Sequence, residues 1–94
     1  MHKKDGTCFL CEHLNDDYGL RVTEEHHVFN GPNRKLSEKY GLKVYLCIQH
    51  HREGREAVHN NKDNMQYLKR LGQQAFEKHY PSLNFREIFG RNYK

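Results

Sequence analysis

The sequence predicts a small α+β domain held together by a bound metal, and three observations carry that prediction. Short β-branched and aromatic segments, clearest at Lys43-Val44-Tyr45-Leu46, read as strands. Apolar residues recurring at three- and four-residue spacing toward the C-terminus read as one long amphipathic helix. Cys8-Phe9-Leu10-Cys11 and Cys47-Ile48-Gln49-His50 are ligand pairs with two-residue gaps, the spacing that lets both members of a pair curl onto one ion. A chain of 94 residues is expected to form a single domain, residues 1–94. Its core is expected over about 8–80, and a domain of this size often needs a staple. Only 35% of the residues are hydrophobic and the mean hydropathy is -1.11, so a metal would make up for thin apolar burial.

Residues 1–7 are polar and charged, which puts the expected start of the ordered chain near Thr7. Between Cys8 and Cys11 the backbone must turn sharply if both thiolates are to reach one ion. A pair of core cysteines is the alternative, and a redox pair is disfavoured because no βαβ pattern surrounds it. Asn15-Asp16-Asp17-Tyr18-Gly19 carries turn chemistry. Leu20–Thr23 and His27–Phe29 are short strand candidates, and Asn30-Gly31-Pro32-Asn33 breaks the second. Arg34 to Tyr40 is basic and polar, either a helical turn or a long loop; its cations Arg34, Lys35 and Lys39 can follow a phosphate backbone or simply face solvent.

The strand at Lys43–Leu46 delivers Cys47, and a helical turn beginning just after it sets His50 beside Cys47 while His51 turns toward a neighbouring site. Glu53-Gly54-Arg55 interrupts that turn. A helix over roughly Glu56 to His79 follows, with Met65, Leu68, Leu71, Ala75 and Phe76 on its buried stripe. Pro81 ends it. Ser82 or Asn84 then caps a short C-terminal helix, about 84–90, in which Phe85, Ile88 and Phe89 share a face and Gly90 closes the end.

Cys8, Cys11, Cys47 and His50 make a Cys₃His set with thirty-five residues between the two pairs, and tetrahedral zinc accepts three thiolates and one imidazole. His50 is preferred over His51 as fourth ligand because of the two-residue gap. That leaves His26, His27, His51 and His59 without a task, whereas His2, His13 and His79 read as ordinary surface or core residues. Adjacent imidazoles on an extended segment point to opposite sides, so one of His26 and His27 can bind a metal while the other faces a substrate. Neutral imidazole serves near pH 7 both as ligand and as general base.

Sixteen Lys and Arg against twelve Asp and Glu give a net charge of +4 and a pI near 9.0, compatible with a nucleic-acid partner. Three cysteines cannot all pair, which favours metal ligation in a reducing compartment. No apolar run suits a signal peptide or a membrane span. The expected setting is therefore cytoplasmic, with no membrane partner.

His26-His27-Val28 followed by Leu46-Cys47-Ile48-Gln49-His50-His51, with Cys8-Phe9-Leu10-Cys11 upstream, resembles the HNH endonuclease family in its zinc-knuckle form. The resemblance covers about residues 8–60. It implies a treble-clef-like ββα-metal domain with a structural Zn²⁺, and a second divalent cation such as Mg²⁺, Mn²⁺, Ni²⁺ or Zn²⁺. On that pattern His26 and His51 hold the catalytic ion, His27 is the general base, and His59 is a further ligand or a phosphate contact. The implied activity is hydrolysis of DNA phosphodiester bonds, with Arg34, Lys35 and Lys39 positioning the DNA backbone. Small members of the family are often encoded by phages or prophages, which makes phage packaging or recombination proteins candidate partners. The sequence departs from the family where an asparagine commonly orients the base: Gly41-Leu42-Lys43 stands there, and Asn30, Asn33 or a backbone carbonyl is left as substitute. The rival class is a non-catalytic, zinc-stapled DNA- or protein-binding adaptor; a redox or metal-storage role would leave the histidines without use.

Overall fold

Two five-residue strands form the centre of the computed structural model, which describes residues 1–94. Strand β1 (Thr23–His27) pairs antiparallel with β2 (Lys43–Cys47), in a register that sets Thr23 opposite Cys47 and His27 opposite Lys43. The strands are preceded by helix α1 (Phe9–Asn15), joined through a 3₁₀ turn at Gly31–Asn33 and helix α2 (Arg34–Lys39), and followed by a wide π-type turn at Gln49–Glu53. Helices α3 (Lys62–His79) and α4 (Phe85–Phe89) complete a mixed α+β fold. No helix is long and apolar enough to cross a membrane.

The expected tight turn at Cys8–Cys11 is the beginning of a helix. Cys8 is its N-cap, and the Cys8 sulfur accepts the Cys11 backbone N–H at 3.4 Å, so one thiol both caps α1 and faces the metal position. The chain is also ordered ahead of Thr7. The Tyr45 N–H donates to His2 Nδ1 at 2.9 Å and the Arg21 N–H to the Gly6 carbonyl at 2.9 Å, which ties the first residues to β2 and to the approach to β1.

One strand lies where two were expected. Leu20 and Val22 are exposed, and pairing runs instead through Glu24 and Glu25, residues of low intrinsic strand preference. Their side chains find cations across the sheet and beyond it, Glu24 meeting Arg52 and Glu25 meeting Lys43, and these cross-strand partners outweigh propensity. Val28 and Phe29 leave the strand fully buried. Segment 34–39 takes the helical alternative. Ser37 on α2 is wholly buried, donating to the Leu42 carbonyl and accepting the Phe29 N–H at 3.2 Å, so it fastens α2 to the exit of β1 and the entry of β2, at one end of the sheet.

Helix α3 begins at Lys62 rather than near Glu56, because Asn61 caps it by accepting the Asn64 N–H at 3.0 Å. The segment before it is a loop that buries Ala57 and Val58. Gly72 of α3 lies against the β1 exit, where a Cβ would stand 3.0 Å from Phe29 and from Val28. Asn84, not Ser82, caps α4, and Gly90 ends it at φ 80°, a left-handed conformation that suits glycine. Phe29, Phe76, Phe85 and Phe89 pack ring against ring, so the C-terminal helices enclose the strand exit in an aromatic core.

Candidate metal centres

The α1 N-terminus, the end of β2 and the π-type turn bring Cys8, Cys11, Cys47 and His50 together, all buried and with ligand atoms within 4.8 Å of one another. The Cys11 and Cys47 sulfurs are 3.8 Å apart, and His50 Nδ1 lies 3.6, 3.3 and 3.4 Å from the sulfurs of Cys8, Cys11 and Cys47. Zinc–ligand bonds of about 2.3 Å to sulfur and about 2.0 Å to nitrogen in a tetrahedron require separations of about 3.8 and about 3.5 Å. The four residues therefore fit a structural zinc, and His50 rather than His51 completes the set.

The surroundings suit a cation as well. Burial, then the neighbouring Cys8 and Cys47 sulfurs, push the Cys11 thiol up to about 12, and a coordinating zinc would remove such a proton outright. Arg21 Nη1 donates to the Cys11 sulfur at 3.0 Å, and His50 Nε2 donates to Glu56 at 3.2 Å, an outer carboxylate that fixes which ring nitrogen faces the thiols.

Alternation along β1 separates His26 from His27. Glu24 and His26 share one face, Glu25 and His27 the other. On the first face His26 meets His51 from the π-type turn and His59 from the loop before α3, with ring centroids 5.3 Å (His26–His51), 5.4 Å (His26–His59) and 4.9 Å (His51–His59) apart. The Val58 N–H bonds the His50 carbonyl at 2.8 Å, which turns the His59 loop back toward the strand. His26 is 3% exposed, and its Nε2 is a buried polar atom with no hydrogen-bond partner. Such an atom is costly unless something satisfies it. The three ring nitrogens lie within 4.8 Å of one another, close enough for one divalent ion. Burial first, then His51 and His59, hold His26 down at about 3, so it stands there as neutral imidazole, the form that ligates. His51 Nδ1 donates to Glu24 at 2.8 Å, which leaves Nε2 as its ligand atom, and Arg52 clamps Glu24 through two bonds of 3.0 Å.

No family model matches the chain, nor does any curated protein or solved structure.

A cleft of about 200 Å³ opens on this cluster, lined by Glu25, His26, His27, Asn30, Arg34, His51 and His59. Of the three basic residues expected to follow a phosphate backbone, Arg34 lines this cleft, while Lys35 and Lys39 are exposed farther along α2. Neither asparagine in the β1–α2 connection bonds His27. Asn33 donates to the Phe89 carbonyl at 3.1 Å, and His27 Nε2 meets Glu38 at 3.1 Å instead. The carboxylates Glu24, Glu38 and Glu56 that orient the histidines went unnoticed in the sequence. Only Glu24 left a trace there, two residues from His26 and so on the same strand face.

Proposed function

We propose that the protein is a metal-dependent endonuclease of the HNH type, with a treble-clef-like ββα-metal core and DNA as substrate. The observation that carries the reading is the buried, unpartnered Nε2 of His26, whose residue clusters with His51 and His59, with His27 lining the same cleft. His26, His51 and His59 would hold a divalent ion, which would supply Lewis-acid stabilisation of the charge that develops on the phosphate. His27 accepts a proton from the water that forms the new bond to phosphorus, as the bond from phosphorus to the leaving oxygen breaks. The leaving oxygen takes a proton from solvent, so one phosphodiester and one water become a phosphate monoester and an alcohol. Arg34 on the cleft wall, with Lys35 and Lys39 on α2, holds the backbone without reading bases, which implies low sequence preference.

The carboxylates of Glu25 and Glu38 beside His27 favour the rival reading, a non-catalytic zinc-stapled adaptor, because they repel phosphate. Lys43 contacts both and offsets part of that charge, and the adaptor leaves the buried His26 nitrogen unexplained. Nicking of supercoiled plasmid with magnesium, manganese, nickel or zinc, with and without EDTA, tests the proposal. Open-circular product that needs an ion and disappears with EDTA is expected; intact plasmid under every ion would sink the nuclease reading.

A further inference from the structure

His27 is gripped from one side. Its Nε2 lies 3.1 Å from Glu38 of α2 and 3.6 Å from Glu25 of its own strand. Lys43, directly opposite His27 in the sheet register, reaches Glu38 at 2.9 Å and Glu25 at 3.4 Å, and the Tyr45 hydroxyl donates to Glu25 at 3.3 Å. Arg34, His26, His51 and His59 are the other charged and titratable groups that line the cleft with His27 and Glu25. The His27 side chain is 10% exposed, so little solvent competes for its bonded nitrogen.

We propose that Glu38 is the positioning residue for His27, accepting its Nε2–H and thereby leaving Nδ1 as the basic nitrogen for the attacking water. This rests on the nuclease reading above and deepens it. A neutral imidazole carries one proton, and the nitrogen that donates to a carboxylate keeps it. Glu38 is the closer acceptor and comes from a separate element, so its carboxylate fixes the ring plane as well as the tautomer. Lys43 holds Glu38 from the sheet, and its bond, then that of His27, keeps the Glu38 carboxyl below the usual carboxylate range and hence ionised. Lys43, between Glu25 and Glu38, offsets part of their charge and so lessens the attraction of the Glu25–His27–Glu38 group for a further cation.

The experiment combines nitrogen-15 spectra of the histidine rings with plasmid-nicking kinetics, on wild type, Glu38→Ala, Glu38→Gln and Glu25→Gln. Wild type should show His27 protonated at Nε2. Glu38→Ala should show a mixture of tautomers, with kcat down by about 10- to 100-fold, the usual range for removing an orienting partner, and KM within about twofold. Glu38→Gln, whose amide oxygen can still accept, should restore the Nε2–H tautomer and recover part of kcat. Glu25→Gln should leave the tautomer as in wild type. Zinc content and melting temperature, measured for each variant, identify any loss of fold, and the glutamine variant keeps the test open if alanine is unstable. A His27 protonated at Nδ1 in wild type, or a Glu38→Ala enzyme with wild-type kcat, would overturn the Glu38 assignment alone. Absence of nicking by wild type beside an intact Nε2–H tautomer would overturn the nuclease reading, and with it any catalytic purpose for Glu38.

Discussion

His26 and His27 occupy consecutive positions yet meet opposite environments, one buried among imidazoles and the other held by a carboxylate. Replacing His27 by Ala should therefore cut the nicking rate by about 10²–10⁴-fold, the usual scale for a lost general base. Zinc content and melting temperature should stay near wild type. If His26→Ala proves to be the inactive variant that still binds the second ion, the two roles are reversed. His50 and His51 form a second such pair, consecutive in the π-type turn yet belonging to different clusters. His50→Ala opens the cysteine site and should lower zinc content and thermal stability together. His51→Ala should preserve both but weaken manganese binding and activity; elemental analysis, thermal melts and manganese titration read the difference. A His51→Ala protein that loses its zinc would show that the fourth ligand is His51.

At the scale of elements, α3 packs on the exit of β1, the strand that carries His26 and His27. Gly72 sits at that contact, against Phe29 and Val28. Alanine would favour the helix by about 1 kcal/mol, but its Cβ would stand 3.0 Å from both side chains in a packed aromatic core. Overpacking typically costs about 1–3 kcal/mol, so Gly72→Ala should be net destabilising by about 1 kcal/mol. The urea midpoint should fall with an unchanged slope, and a midpoint equal to or above wild type would show that α3 can shift away from the strand.

For the molecule as a whole, the Cys₃His set joins α1, β2 and the π-type turn, and a metal such as zinc bound there would clasp the three together. Zinc binding contributes about 10–16 kcal/mol in small domains that fold around the metal. Cys47→Ser should lose both zinc and cooperative unfolding; a metal-free chain that still melts cooperatively would overturn this. His26 adds a pH dependence. Its folded value near 3 lies below the ordinary 6.5, so between those values the unfolded chain binds a proton that the folded chain refuses. Stability is full above about 6.5 and falls as the pH drops toward 3. Between about pH 7 and about pH 5 the loss from this residue is about 1–2 kcal/mol, from one pKa unit being worth about 1.4 kcal/mol. His26→Leu should lose less than wild type over that interval in urea unfolding with zinc retained at the cysteine site; equal losses would remove His26 as the cause.

Which four residues gather in the Cys₃His cluster, down to His50 over His51, was legible from the chain alone, because a two-residue gap constrains geometry locally. The sequence also pointed to strand β2, the stripe of α3 and the capped α4, all of which rest on patterns within a few residues. It misplaced the first strand and the start of α3, where the deciding contacts are distant in the chain: Glu24 and Glu25 become strand residues through Arg52 and Lys43, and Glu56–Asn61 stays a loop that returns His59 to His26. The resemblance already put His26, His51 and His59 at one site, and they do lie together; the partner of His27 came from the three-dimensional packing, Glu38 taking the place for which Asn30, Asn33 or a backbone carbonyl had been left as candidates. The reason is physical: a ligand spacing is a property of the local backbone, whereas a hydrogen bond from β1 to α2 depends on how Ser37, Leu42 and Phe29 dock that helix.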